Sequence, residues 1–203
     1  MPTNWIQASA VLIMLSAASI AFGFKLALPR NSKPQRSSFE PAWLSPLIAT
    51  VSALLGIATL WAIIHPKPPL NSSVFFRLGL PCLGILAGVL GCSLMYWCLT
   101  TLGRNFSGTS GTYPSHELIT SGPYRSIRHP YYTATALIII SLTLLLGSLT
   151  LFGLGSLLLM CLAVRSRAEE LELSALFGEH FQRWESQTGR FFPRIYSNRT
   201  PQS

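Results

Sequence analysis

An uncharged stretch from Tyr131 to Val164, YYTATALIIISLTLLLGSLTLFGLGSLLLMCLAV, decides how this chain folds. A membrane helix needs about 20 apolar residues, so these 34 residues are too many for one upright helix and too few for two full crossings. Gly147 and Ser148 lie near the middle, where glycine disfavours a continuous helix. One tilted helix would place the two flanks on opposite sides of a membrane, whereas a short helical hairpin would return them to one side.

Both flanks of this stretch are polar. The segment His116–Tyr132, HELITSGPYRSIRHPYY, holds two histidines, two arginines and three tyrosines within 17 residues. The segment Arg165–Glu172, RSRAEELE, follows the stretch directly. Polar clusters this dense beside apolar runs are typical of a functional loop at a membrane surface, and we interpret the two as halves of one site.

Three further runs can span a membrane by length, namely Trp5–Leu28, Ala42–Ile64 and Val74–Leu102. Hydrophobic residues make up 49% of the chain, charged residues only 11%, and aspartate does not occur. The first run lacks the basic start of a cleaved signal peptide, so we expect it to remain as a span. The length of 203 residues predicts a single domain, 1–203.

The distribution of basic residues favours the hairpin. Short loops rich in Lys and Arg stay cytoplasmic, and such residues concentrate in segments 29–41 and 103–130 and in the tail from Arg165 onward. The 65–73 loop offers only Lys67. We therefore expect an all-α integral membrane protein with about five transmembrane helices, an outside N-terminus, a final helical hairpin and a cytoplasmic C-terminal helical tail.

Several function classes find no support in the sequence. The net charge of +8 comes from basic residues scattered among loops, which favours contact with anionic lipids and argues against nucleic-acid binding. No Cys-x-x-Cys, dinucleotide-binding or phosphate-binding glycine motif is present. A zinc site needs more ligands than His116 and His129, and the only further candidates are His180 and the glutamates, so a metal site is disfavoured. The cysteines fall in apolar runs and suit helix packing. Gly84, Gly88 and Gly91 predict close helix approach, and Pro81 a kink.

The residues of the polar segments suit a charged ligand. Pro130 fits the first turn of a helix, which would put His129 at a helix N-terminus able to bind an anion. Tyrosine rings can flank a cation. Arg165 and Glu169 are four residues apart and share a helical face. The alternative is that these residues are interfacial anchors, with Arg165 and Glu169 forming an exposed ion pair worth about 0.3–0.5 kcal/mol.

Three patterns together resemble the isoprenylcysteine carboxyl methyltransferase family. They are His116-x-Leu-Ile-Thr-x-Gly-Pro-Tyr124, Arg128-His-Pro-x-Tyr132, and Arg165-x-x-x-Glu-Glu-x-x-Leu-x-x-x-Phe-Gly-Glu-x-Phe181. Phospholipid N-methyltransferase-like membrane proteins share much of this pattern. The resemblance covers roughly residues 75–196, interpreted as the catalytic core, whereas residues 1–74 form two spans without a matching motif.

The resemblance implies a five-span methyltransferase that uses S-adenosylmethionine. It implies a catalytic and substrate-binding role for Arg165. The residues it implies for cofactor binding are His116, Glu117, Leu118, Ile119, Tyr124, His129, Pro130, Tyr131, Tyr132 and Glu169. No metal is implied. The chain departs from some members at Ser107–Thr112, where they carry a glutamine upstream of the first histidine.

The chemistry of methyl transfer leaves the acceptor open. A carboxylate acceptor is already ionised and needs only a cation such as Arg165 to orient it, whereas an amine needs a base, for which Glu169 or Glu170 is the candidate. The expected partners are membrane lipids and a lipophilic substrate from the bilayer. We expect a cytoplasmic active site in the inner or plasma membrane of a prokaryote or the endoplasmic reticulum of a eukaryote. A carboxyl methyltransferase, an amine or phospholipid N-methyltransferase, and a non-catalytic or reductase-type membrane protein all remain open.

Overall fold

The computed structural model describes residues 4–27, 38–66, 78–103 and 117–194. Their regular structure is helical, apart from one isolated bridge between Ile127 and Gly189. The helices are α1 (Asn4–Ala27), α2 (Leu44–Ile64), α3 (Leu80–Leu102), α4 (Pro130–Leu146), α5 (Leu149–Phe177) and α6 (Glu179–Gln187), with a short 3-10 turn at Gly122–Arg125. The predicted all-α fold class is confirmed for these parts of the chain.

Four of the described helices, α1, α2, α3 and α5, are long and apolar enough to cross a membrane. The fifth apolar helix, α4, has 17 residues and would extend about 25 Å. The long helices leave large apolar side chains on the outside of the bundle, as expected for surfaces that face lipid. Examples are Leu12, Phe22, Ile57, Trp61, Leu86, Phe152 and Met160.

The long apolar stretch breaks where the sequence predicts. Gly147 ends α4 in the left-handed conformation (φ 56°), and its N–H donates to the carbonyl of Thr143 at 2.9 Å. Ser148 then begins α5, and its hydroxyl accepts from the N–H of Leu151 at 3.4 Å. Because the start of α4 contacts Glu170 of α5, the two helices run antiparallel. The hairpin is confirmed, and a single long helix is excluded.

The helix α4 packs against α1, α3 and α5 and forms the centre of the bundle. The predicted close approach of α3 is confirmed: an added Cβ at Gly91 would lie 3.1 Å from the carbonyl oxygen of Ala134 in α4. Pro81 lies in the first turn of α3, a position that accommodates a proline. The predicted kink at this residue stays a prediction.

We expect chemical labelling to place both polar segments on one side of the membrane. In a chain without its native cysteines, Thr120→Cys and Gln187→Cys should react with an impermeant maleimide from the same side, because both belong to the end of the bundle where α4 begins. Leu149→Cys, which lies at the turn between α4 and α5 and is 82% exposed, is the matched control and should react from the opposite side. Labelling of positions 120 and 187 from different sides would contradict this arrangement.

Candidate active site

The polar residues ahead of α4 are positioned by the way that helix begins. Pro130 occupies the first turn, where its missing N–H costs no hydrogen bond, and His129 precedes it. The C-terminal segment runs beside them: the N–H of Arg128 donates to the carbonyl of Gly189 at 2.8 Å, and that of His129 donates to Arg190 at 2.9 Å. The predicted helix start at Pro130 is confirmed. The C-terminal segment is a further element that contacts the residues before α4.

The Glu170 carboxylate is the centre of the charge network at this helix start. Its Oε1 accepts from Nε of Arg128 at 2.8 Å, from Nε2 of His129 at 3.2 Å and from Nε of Arg190 at 3.1 Å. Nη2 of Arg190 also donates to Oε2. Glu170 is only 7% exposed, and a buried charge is stable only when it is paired. It therefore ties α5 both to the loop before α4 and to the C-terminal segment.

His129 lies between two carboxylates. Its Nε2 faces Glu170, and its Nδ1 lies 3.4 Å from Oε2 of Glu169. Ionised carboxylates only accept hydrogen bonds, so both ring nitrogens can donate only when the imidazole is protonated. Burial alone would lower the pKa of His129, but the hydrogen bonds and charges of Glu169 and Glu170 outweigh it and raise that pKa above its ordinary value. The structure thus favours a positively charged His129.

Glu169 faces the aromatic side of the same network. The hydroxyl of Tyr132 donates to its Oε1 at 2.6 Å. The Tyr132 ring stacks on the imidazole of His129 with centroids 5.5 Å apart. The Tyr131 ring contacts the Tyr132 ring edge-on, with centroids 6.3 Å apart. The side chain of Glu169 is 22% exposed, against 8% for Glu170. Of the two adjacent glutamates, Glu169 is therefore the one that a ligand can still reach.

Arg165 lies one turn before Glu169 on α5 and pairs with the N-terminal part of the chain. Its Nη2 donates to Oε1 of Glu40 at 3.0 Å and to the hydroxyl of Ser45 at 2.7 Å. Arg165 is 7% exposed and Glu40 is 6% exposed. The alternative of an exposed Arg165–Glu169 ion pair is wrong, because the arginine is buried and its carboxylate partner is Glu40.

Tyr124 belongs to a second group of side chains, at α6. It is buried in a cluster with Cys98, Phe181 and Trp184, and its carbonyl accepts from the Trp184 indole at 3.0 Å. Burial raises the pKa of the Tyr124 phenol well above its ordinary value, so the hydroxyl stays protonated. The partly buried residues that pack against this cluster include Leu118, Ile119 and Tyr131.

The predicted site residues thus fall into two adjoining groups, one around His129 and one around Tyr124. Tyr131 contacts both groups. His129, Tyr132 and Glu169 contact one another directly, with Pro130 at the helix start beside them. Glu117 is exposed. His116 and the Ser107–Thr112 segment lie outside the described residues.

Sequence reasoning missed four residues of the network: Glu40, Ser45, Gly189 and Arg190. Their sequence neighbourhoods carry no motif, and only the shortage of acidic residues, seven in the whole chain, singles out Glu40. Gly189 is required sterically, because an added Cβ would overlap the carbonyl oxygen of Phe192. This close approach lets the C-terminal segment fold back against Arg128.

A cavity of about 530 Å³ opens beside the network, between α6 and the C-terminal segment. Arg128 and Arg190 line it, yet both donate to Glu170, and Nη1 of Arg128 also donates to the carbonyls of Glu185 and Thr188. Tyr132, Arg165 and Glu169 do not line this cavity. It is therefore a neighbour of the predicted cofactor site and not that site.

Four apolar helices of membrane-spanning length, with a buried network of charges at one end, are typical of an integral membrane protein. Within this chain, residues 83–175 match the isoprenylcysteine carboxyl methyltransferase (ICMT) family, which confirms the resemblance that the motifs predict. The matched segment contains α4, the hairpin turn, and both Arg165 and Glu169.

A curated relative also matches part of the chain. The chain is 34% identical over 93 residues to the uncharacterized protein YpbQ of Bacillus subtilis (strain 168). The match covers 45% of this chain and 55% of that protein, so the chain spans about half the length of the relative it matches.

We expect the stability of the protein to fall as the pH rises above neutrality, through His129. Its pKa in the folded chain lies above 6.5, so the stabilisation by the protonated ring is complete below that value and is lost as the pH rises through the folded pKa. The melting temperature in detergent should therefore drop between about pH 6 and about pH 9 in the native chain.

The His129→Gln variant should lose most of this pH dependence. His180→Gln, at an exposed position in α6, is the matched control and should keep it. An equal drop in the native chain and in His129→Gln would exclude His129 as the titrating group.

Proposed function

We propose that this protein is an S-adenosylmethionine-dependent methyltransferase that acts on a lipophilic substrate, most simply a carboxylate. The observation that carries the proposal is the placement of Glu169 and Arg165 one helical turn apart, about 6 Å along α5, with His129 and Tyr132 of α4 beside Glu169. This arrangement would suit a cationic methyl donor at Glu169 next to an anionic acceptor at Arg165.

The chemistry of the residues fits the proposed cofactor. Glu169 offers a reachable carboxylate for a cationic group, and Tyr131 and Tyr132 offer ring faces that attract a cation. Leu118 and Ile119 offer partly buried apolar surface that suits the adenine ring of the cofactor. When bound, S-adenosylmethionine supplies a methyl group on a sulfonium, which an in-line nucleophile can accept.

The chain's own contribution is mainly positioning, which supplies roughly 7–11 kcal/mol in well-oriented reactions. Arg165 would hold an acceptor carboxylate, which is ionised near neutral pH and needs no base. Glu170 is poorly suited to act as a base, because donors from Arg128, His129 and Arg190 already occupy it. The buried setting of Arg165 would keep water away from the acceptor.

A second candidate is methylation of an amine, as in phospholipid N-methyltransferases. It is favoured by one observation, the Glu40 carboxylate that already pairs with Arg165. This pairing reduces the positive charge available to an anionic acceptor, while Glu169 stays accessible as a base for an ammonium group. Identification of the labelled product in membranes supplied with methyl-labelled cofactor would distinguish the two acceptors.

We further propose that α4 also crosses the bilayer, which gives five spans, and that the N-terminus lies outside. The polar end of the bundle and the C-terminal tail would then face the cytoplasm, as the excess of Arg and Lys in these segments favours. A lipophilic substrate would reach Arg165 from the bilayer, while the cofactor would enter from the aqueous side.

We expect purified protein in detergent to bind S-adenosylmethionine, and we expect His129→Ala and Glu169→Ala each to weaken that binding roughly tenfold or more. Both variants remove a partner from the His129–Glu169–Tyr132 group. Isothermal calorimetry measures the affinity, and Glu179→Ala, at an exposed glutamate of α6, is the matched control. No binding by the native chain would refute the proposed function. Unchanged affinity in both variants would indicate that His129 and Glu169 are membrane anchors and not cofactor ligands.

We expect Arg165→Lys to lose most turnover while it keeps cofactor affinity. The guanidinium can hold Glu40 and a substrate carboxylate at the same time, whereas a lysine ammonium is a single point charge. Methyl transfer at saturating cofactor is the measurement, with Arg167→Lys, at an exposed position of the same helix, as the control. Near-native turnover of Arg165→Lys would remove Arg165 from the acceptor site and favour an amine acceptor.

A further inference from the structure

We propose that Glu40 and Ser45 are positioning residues for Arg165, so that the connection before α2 and the first turn of α2 form part of the acceptor site. This inference rests on the proposed function and extends it to a part of the chain outside the family match at 83–175. Neither residue need touch the substrate; both act through the guanidinium.

The three side chains form a closed hydrogen-bonded triangle. Nη2 of Arg165 donates to Glu40 and to Ser45, and the hydroxyl of Ser45 donates to Oε1 of Glu40 at 2.8 Å. The side chains of Arg165 and Glu40 are 9% and 1% exposed. A guanidinium held at one nitrogen by a buried carboxylate and a partly buried hydroxyl has a defined orientation, which a long arginine side chain lacks by itself.

The triangle leaves another donor of Arg165 unused. Its Nε is buried and has no hydrogen-bond partner among the described residues. Leaving a buried donor unpaired is costly, so native structures rarely keep one without a reason. An acceptor oxygen from a bound substrate would satisfy this N–H, while Glu40 and Ser45 keep hold of Nη2.

An apolar contact also holds α2 against α5, apart from the triangle. Val51 of α2 packs with Leu158 and Leu162 of α5 in an apolar cluster that also includes Ile139 of α4. An apolar contact of this kind stabilises a helix pair without the desolvation penalty of a buried ion pair. A role for Glu40 in orienting Arg165 accounts for a buried charge that this apolar contact does not explain.

The test compares Glu40→Ala, Glu40→Gln and Ser45→Ala with the native chain in detergent. The readouts are kcat and acceptor KM, S-adenosylmethionine affinity and melting temperature. Glu40→Ala should lower kcat roughly 10- to 100-fold, because a small misplacement of a positioning group has this effect, and should leave cofactor affinity unchanged. Glu40→Gln keeps an oxygen acceptor for Nη2 and should retain more turnover than alanine.

A double-mutant cycle separates positioning from an independent role. If Glu40 acts through Arg165, adding Glu40→Ala to Arg165→Ala should cause no further loss of kcat, since coupled residues are not additive. Glu179→Ala is the control and should leave all readouts unchanged. If Glu40→Ala does not fold, Glu40→Gln and Ser45→Ala carry the same comparison.

Several outcomes would overturn the inference. Native kcat in Glu40→Gln and Ser45→Ala, or additive losses in the cycle, would overturn it while leaving the proposed function intact. A loss explained wholly by melting temperature, with native kcat per folded molecule, would make the triangle purely structural. A native chain that neither binds the cofactor nor transfers a methyl group would overturn the proposed function and this inference together.

Discussion

The reversal of the chain at Gly147 is the constraint on which the polar site depends. Because α4 and α5 run antiparallel, the residues before α4 and those near the end of α5 meet at one end of the bundle. A left-handed residue ends α4 and a serine cap begins α5, so the reversal takes only two residues. In one continuous helix, His129 and Glu169 would lie about 60 Å apart, roughly twice the hydrocarbon thickness of a bilayer.

Burial explains why the charged side chains at the end of the bundle where α4 begins are paired with one another. In an apolar environment an unpaired charge is far less stable than in water, so each must find a partner of opposite sign. Glu170 is satisfied by Arg128, His129 and Arg190, and Arg165 by Glu40. The first set fixes the C-terminal segment against the loop, and the second fixes the start of α2 against α5. The two sets of paired charges therefore hold several segments of the chain together at this end of the bundle.

The apolar runs and glycines of the sequence predict the helices and the hairpin well, because both depend on local properties. Pro130 and Gly147 mark helix ends through their own backbone geometry. The pairing of Arg165 with Glu40 could not be predicted in this way, since the two residues are 125 positions apart and no periodicity links them. The contacts of Arg190 likewise depend on a tail that returns to the loop only because Gly189 has no side chain.

The same pairing bears on the kind of acceptor that the site could hold. An arginine without a partner would attract any anion, and a second carboxylate on a guanidinium already neutralised by Glu40 would meet repulsion as well as attraction. The repulsion is strong in a poorly solvated site, because charge interactions grow as the local dielectric falls. A carboxylate acceptor therefore requires a further positive group nearby, and a cationic methyl donor beside Glu169 would be such a group. On this reasoning the acceptor would bind best after the cofactor, and the charge of the donor itself would help to select an anionic substrate.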